Sequence, residues 1–136
     1  MTKKRILSID GGGIKGVVPA VVLFHLEKHL KRLSNNPNSR IHDYFDLFTG
    51  ASTGAIIIAG LLTPDSHNQP KYSTKEIIDL YIENGHIIFN SSLLQEIKSV
   101  SGLVNVKYDP EGLESVFNKY FGNTQLKDLL KPTLIP

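Results

Sequence analysis

The apolar positions change period several times along the chain, and each change marks an element. Ile6, Leu7 and Ile9 form a short apolar run that ends at Asp10 and the glycines Gly11, Gly12 and Gly13. This predicts a short, mostly buried strand over Lys4 to Ile9. From Ile14 the spacing becomes helical. Val17, Val21 and Phe24 fall at i, i+4 and i+7, with Leu23, Leu26, Leu30 and Leu33 as a neighbouring stripe. Pro19 falls in the first turn, where its missing N–H costs nothing. Glu27 and Lys31 form an i, i+4 pair expected on the exposed side. The turn formers Ser34 to Asn38 end the helix.

A second strand is expected at Phe45 to Thr49, then Gly50, then an apolar helix from Thr53 to Leu62. Thr63 to Tyr72 contains two prolines and reads as a surface loop. Ser73-Thr74-Lys75-Glu76 is a capping box that opens a helix through about Asn84. Ser91 to Lys107 mixes leucines with serines and glycine, and is expected to be a packed surface helix and loop. Asp109-Pro110 starts a further helix to about Tyr120. Thr124 is expected to cap one more short helix through Leu130, and Pro132 to Pro136 approaches another strand. Strands alternating with helices across glycine-rich turns predict an α/β fold with a mainly parallel sheet, and such a sheet needs cover on both faces.

Composition narrows the chemistry. The 136 residues fit one domain and carry no cysteine, which removes disulfides, thiolate metal sites and cysteine nucleophiles together. A formal net charge of +2 is too small to argue for nucleic acid or an anionic membrane as an electrostatic partner. Lys3, Lys4 and Arg5 read as a solvated N-terminus, because the apolar stretch behind them is too broken for a secretory signal. The apolar run Ala55 to Leu62 is far too short to span a bilayer. The compartment stays open, with the cytoplasm favoured.

Two motifs carry candidate chemistry. Asp10-Gly11-Gly12-Gly13-Ile14-Lys15-Gly16 stands between a strand and a helix. Its glycines can turn several N–H groups toward one anion beside a helix N-terminus, whether that anion is a phosphate or an oxyanion. Read alone it also matches a dinucleotide fingerprint, although Glu27 lies mid-helix rather than at the end of a second strand. A phosphate loop would want Lys and Ser or Thr after the last glycine, where Val17 stands. The second motif, Gly50-Ala51-Ser52-Thr53-Gly54, is a G-x-S-x-G between an apolar strand and an apolar helix, the context of a nucleophile elbow. In a parallel sheet both turns would lie at the carboxyl ends of strands. A serine elbow needs a second source of oxyanion donors, and the glycine run is a suitable one.

The run Ile6 to Gly16, the stretch His42-Asp43-Tyr44-Phe45-Asp46 leading into Gly50 to Gly54, Glu83 to Asn90, and Tyr108-Asp109-Pro110 together resemble the patatin-like phospholipases. That resemblance covers nearly the whole chain. It implies a three-layer α/β/α fold, with residues 1–136 forming the N-terminal part of a lipid acyl hydrolase domain incomplete at its C-terminus. It also implies ester hydrolysis of phospholipids or galactolipids at a membrane or micelle surface, through an acyl-serine, by a Ser–Asp dyad without metal or cofactor. Carried over, Ser52 is the nucleophile, and Gly11, Gly12, Gly13 and the Thr53 N–H form the oxyanion hole. Asp10, Lys15, Gly16, Gly50 and Gly54 support the two motifs. Lys15 stands where the family usually has arginine, which keeps the charge and loses the planar fork. The family's aspartate precedes Gly-Gly or Gly-Ala, and no aspartate after Asp10 is followed by glycine here. The base is therefore expected outside this chain. A non-catalytic lipid-binding or interaction module that keeps the elbow is the rival reading, and a nucleotide-binding protein comes third.

The histidines offer weaker alternatives. His25 and His29 flank Glu27 on one helix, yet a zinc-protease helix needs the glutamate directly after the first histidine. A solvated helix face is expected for them. His67 in a polar loop and His86 after a helix end at Gly85 could complete a triad only formally, and surface or capping roles are expected.

Overall fold

Hydrogen bonding between strand backbones begins at the first apolar run. In a computed structural model, which describes residues 3–89 and 110–136, β1 (Ile6–Ile9) pairs in parallel with β2 (Leu47–Gly50). The register sets Ile9 opposite Gly50. On the other side of β2, β3 (Thr133–Leu134) pairs in parallel with Phe48 and Thr49, so the described sheet has the order β1-β2-β3. Pro132 to Pro136 thus supplies the strand expected there. β1 is less buried than its sequence suggests. Ile9 is buried, whereas Ile6 is 58% exposed, because among the described residues β1 has a strand on one side only.

Four helices surround these strands among the described residues: α1 (Val17–Leu33), α2 (Thr53–Leu62), α3 (Thr74–Ile88) and α4 (Pro110–Phe121). α2 packs on β1 and β2, and its Ile57, Ile58 and Leu62 are fully buried with Phe48 of β2. Each such side chain contributes roughly 1.5–3 kcal/mol relative to exposure. α3 contacts α1, α2 and α4, burying Ile77, Leu80 and Tyr81. Ser73 caps it as its sequence predicts: Ser73 Oγ accepts from Glu76 N, and Ser73 N donates to Glu76 Oε2 at 2.8 Å. The α/β expectation with a parallel sheet stands.

Four local expectations are corrected. α3 does not stop near Asn84 but runs through Gly85 to Ile88. Gly85 is buried inside the helix because a Cβ there would collide with Ile14 Cδ1; it serves a close approach, not a C-cap. His86 therefore lies in the last turn of α3 rather than beyond it. The short helix through Leu130 reduces to a 3₁₀ turn, Leu126–Asp128, capped by the Asp128 carboxylate accepting from Gln125 N. It ends there because Leu129 is extended and Leu130 N donates to Leu62 O instead.

The fourth concerns Glu27, which is 5% exposed rather than on the solvent side. Its carboxylate accepts from Ile41 N and Thr74 Oγ1 and pairs with Lys31 at 3.1 Å and Arg40 at 3.6 Å. A buried carboxylate survives only with such partners. Here it ties α1 to the 3₁₀ turn before β2 (Ile41–Asp43) and to the start of α3. The segment from Ser91 to Lys107 lies outside the described residues.

Candidate active site

The parallel register brings the ends of β1 and β2 side by side, and each is followed by a glycine-bearing turn into a helix. At the end of β2, Ser52 adopts φ 51° and ψ −119°. For a residue with a Cβ this conformation costs about 1–3 kcal/mol, and it persists only where surroundings impose it. Two glycines do so. A Cβ on Gly50 would come within 2.7 Å of the Gly54 carbonyl carbon, and a Cβ on Gly54 would strike the Ile9 carbonyl oxygen. Ala51 N also donates to Ile9 O at 3.3 Å, lacing the elbow to β1.

Ser52 occupies the N-cap position of α2, yet its side chain makes no capping hydrogen bond. The hydroxyl is exposed, and no described residue engages it. Thr53 opens α2, so its N–H has no helical carbonyl four residues back and lies at the positive end of the helix dipole. Gly54 N, by contrast, is taken by Ala51 O at 2.9 Å.

The glycine run approaches the same point. A Cβ on Gly11 would lie 3.3 Å from both Ala51 O and Ser52 Cβ. Gly13 has φ 59°, the left-handed region that suits glycine, and begins a 3₁₀ turn over Gly13–Gly16. Gly12 is different: a Cβ there would have Lys15 Cβ as its neighbour at 3.8 Å, an ordinary contact. Gly16 is buried against Thr53 and Tyr81.

An apolar cavity of about 750 Å³ opens beside Ser52. Gly11, Gly12 and Gly13 form one wall, Ala55 and Ile56 of α2 another, and Ile88, Phe89, Leu113, Phe117 and Ile135 the rest. The structure therefore brings Gly11, Gly12, Gly13 and Ser52 around one space. Asp10 and Lys15 are not on it. Both line a separate cavity of about 430 Å³ between β1 and α1, which Gly11, Gly12 and Thr53 also touch.

The other described aspartates are spoken for. Asp46 accepts from Arg5 N and Lys4 Nζ, and these bonds, the backbone one first, hold its carboxyl below the usual range. Asp65 accepts from the backbone of Gln69 and His67, with the same effect. Asp43 and Asp128 cap 3₁₀ turns, and Asp79 pairs with Lys75. Among the described residues, no aspartate is paired with Ser52. His25 packs edge-on to Phe24, and His29 Nδ1 bonds Arg32 Nη2 at 2.8 Å, both on the exposed face.

Sequence reasoning missed the cavity wall and Tyr81. Leu113 and Phe117 stand one helical turn apart on α4, and apolar residues so spaced read as core. Nothing local tells that their far side faces an open space. No described helix is long and apolar enough to cross a membrane.

A family model described as Patatin-like phospholipase matches residues 7–136. The chain belongs to that family. Among similar proteins, Patatin-like protein 4 of Arabidopsis thaliana is 37% identical over 131 residues, covering 96% of this chain and 33% of the relative. Patatin-03 of Solanum tuberosum and Patatin-17 of Solanum cardiophyllum are each 38% identical over 130 residues, again 96% of this chain and 32% of theirs. The chain thus spans about a third of the length of the curated relatives it matches. The match includes both strand-to-helix turns, so family membership and the paired motifs rest on the same residues.

Proposed function

We propose that residues 1–136 are the nucleophile-bearing, N-terminal part of a lipid acyl hydrolase domain of the phospholipase A type. The observation that carries this reading is the uncapped, exposed hydroxyl of Ser52 on a strained elbow beside an apolar cavity. Membership of the patatin-like phospholipase family supports it.

Ser52 Oγ attacks the carbonyl carbon of the ester and loses its proton to a carboxylate base. The described aspartates other than Asp10 are engaged elsewhere, and no aspartate after Asp10 is followed by glycine as the family's base is, so this reading assigns the base to an aspartate outside residues 1–136. The carbonyl oxygen becomes an oxyanion, received by the Thr53 N–H and the amides of the Gly11 to Gly13 turn. One such donor is worth roughly 3 kcal/mol of barrier. Collapse breaks the ester C–O bond, and the alcohol leaves with the proton returned by the base. Water, activated by the same carboxylate, then attacks the acyl-serine and releases the fatty acid. The apolar cavity holds the acyl chain, which gives a long-chain ester its advantage over a short one.

The test is fatty-acid release from phosphatidylcholine micelles by the full chain, meaning residues 1–136 together with the segment that carries the base, and by its Ser52→Ala variant; residues 1–136 by themselves should release almost none. Loss of one member of a serine–base unit costs roughly 10⁴ to 10⁶ in turnover, so the variant should fall to background. Equal release by both proteins would contradict the reading. Binding of micelles without release by either would favour the lipid-binding module instead.

A further inference from the structure

We infer that Tyr81, on α3, is a positioning residue that fixes the oxyanion-donating amide of Thr53 relative to the glycine turn; the inference rests on the hydrolase reading above. Tyr81 is 2% exposed, yet its hydroxyl is fully used. It donates to the Thr53 carbonyl oxygen at 2.9 Å and lies 2.5 Å from Thr53 Oγ1. A phenol has one proton, so the arrangement is determined. Tyr81 O–H donates to the carbonyl, and the Thr53 hydroxyl donates to the Tyr81 oxygen. The phenol therefore grips both the backbone and the side chain of the residue that follows the nucleophile.

The same helix also holds the other half of the hole. A Cβ on Gly16 would run into Thr53 and lie 3.0 Å from the Tyr81 ring, so the end of the glycine turn is pressed against this pair. One turn further along α3, Gly85 receives the side chain of Ile14 from within the glycine turn. Positions 81 and 85 lie on one face of the helix. A single rigid element thus holds the carbonyl and hydroxyl of the residue whose N–H faces the oxyanion, and packs against the loop that supplies the remaining donors. Tyr81 also stacks on Phe89, a wall of the acyl cavity, with ring centroids 5.6 Å apart. Burial pushes the Tyr81 hydroxyl up to about 12, opposed by the Thr53 hydrogen bond, so it stays a donor at any ordinary working pH. Tyr81 does not reach the substrate. It acts through Thr53.

The experiment compares kcat and KM of the full chain with Tyr81→Phe, Thr53→Val, their combination, and Thr53→Ser, all of which keep the Thr53 amide. Losing an oxyanion donor outright costs about 10²-fold or more, and a loosened one should cost less. Tyr81→Phe and Thr53→Val should each lower kcat about tenfold with KM within about twofold, the combination should be no worse than either alone, and Thr53→Ser, which returns the hydroxyl, should recover most of the kcat that Thr53→Val loses. A Tyr81→Phe kcat within twofold of the parent, a change confined to KM, or additive losses in the double variant would overturn the inference. Should Tyr81→Phe not fold, the contrast between Thr53→Val and Thr53→Ser decides alone, and equal kcat in those two overturns it. Covalent labelling of Ser52 in the parent by a fluorophosphonate separates this failure from failure of the hydrolase reading, which would leave Ser52 unlabelled.

Discussion

The two strand-to-helix turns use glycine for different reasons. At the elbow, Gly50 and Gly54 are demanded by packing, since a Cβ at either meets backbone that belongs to the sheet or to the turn itself. Both lie buried. In the glycine run, Gly12 is exposed, has room for a Cβ, and faces the cavity beside Ser52. Only Gly13 there has a left-handed φ. Glycines that look alike in sequence therefore divide into those that let the fold close and those that keep space for a ligand. The elbow stores strain to present one atom. The run keeps its backbone bare, which on the proposed reading is where the oxyanion is received.

That division predicts unequal costs. Gly54→Ala should be the most damaging to the fold, because the new methyl meets the Ile9 carbonyl and neither backbone can yield cheaply. Overpacking of this kind costs roughly 3 kcal/mol, read as a fall in the urea midpoint at unchanged slope. A stability loss below about 1 kcal/mol would mean the elbow has slack that its geometry denies. Gly12→Val should behave the opposite way. Its effect on the urea midpoint should stay within about 0.5 kcal/mol, while turnover drops at least tenfold as the side chain enters the substrate space. If turnover survives within a few fold, the oxyanion is held elsewhere.

The comparison also shows what a sequence can disclose. Both turns were legible because their signals are local: a glycine run or G-x-S-x-G after an apolar strand and before a helix. The helix that braces them runs one turn beyond its apparent end, to Ile88. Gly85 looks like a C-cap unless Ile14, 71 positions earlier, is known to press against it. Glu27 looked solvent-facing for the same reason, since Ile41, Arg40 and Thr74 reach it from other elements. Tyr81 sits on an apolar stripe with Ile77, Ile78 and Leu80 and reads as core. Its hydroxyl was the one available clue, because a buried phenol needs a partner.

A smaller effect sharpens how the elbow's supporting strand is held. His42, in the turn before β2, has a buried Nδ1 with no hydrogen-bond partner among the described residues. Burial lowers its pKa below 6.5, opposed chiefly by the nearby Asp43. The unfolded chain thus takes up the proton first as the pH falls through about 6.5, and stability declines until the folded pKa is passed. Above that window the contribution is constant. His42→Gln should flatten the dependence of the urea midpoint on pH across this window. An unchanged slope would show that the ring titrates as freely in the fold as outside it.

The central claim is that Ser52, lifted by the strained elbow and left uncapped, is the reacting atom's owner. The most direct measurement is peptide mapping of the full chain after treatment with a fluorophosphonate. Ser52 alone among the serines has glycines two residues before and two residues after it. The expected result is one modification, on Ser52, absent from Ser52→Ala and abolished by unfolding before treatment. A labelled peptide from another serine, with Ser52 unmodified, would contradict the account.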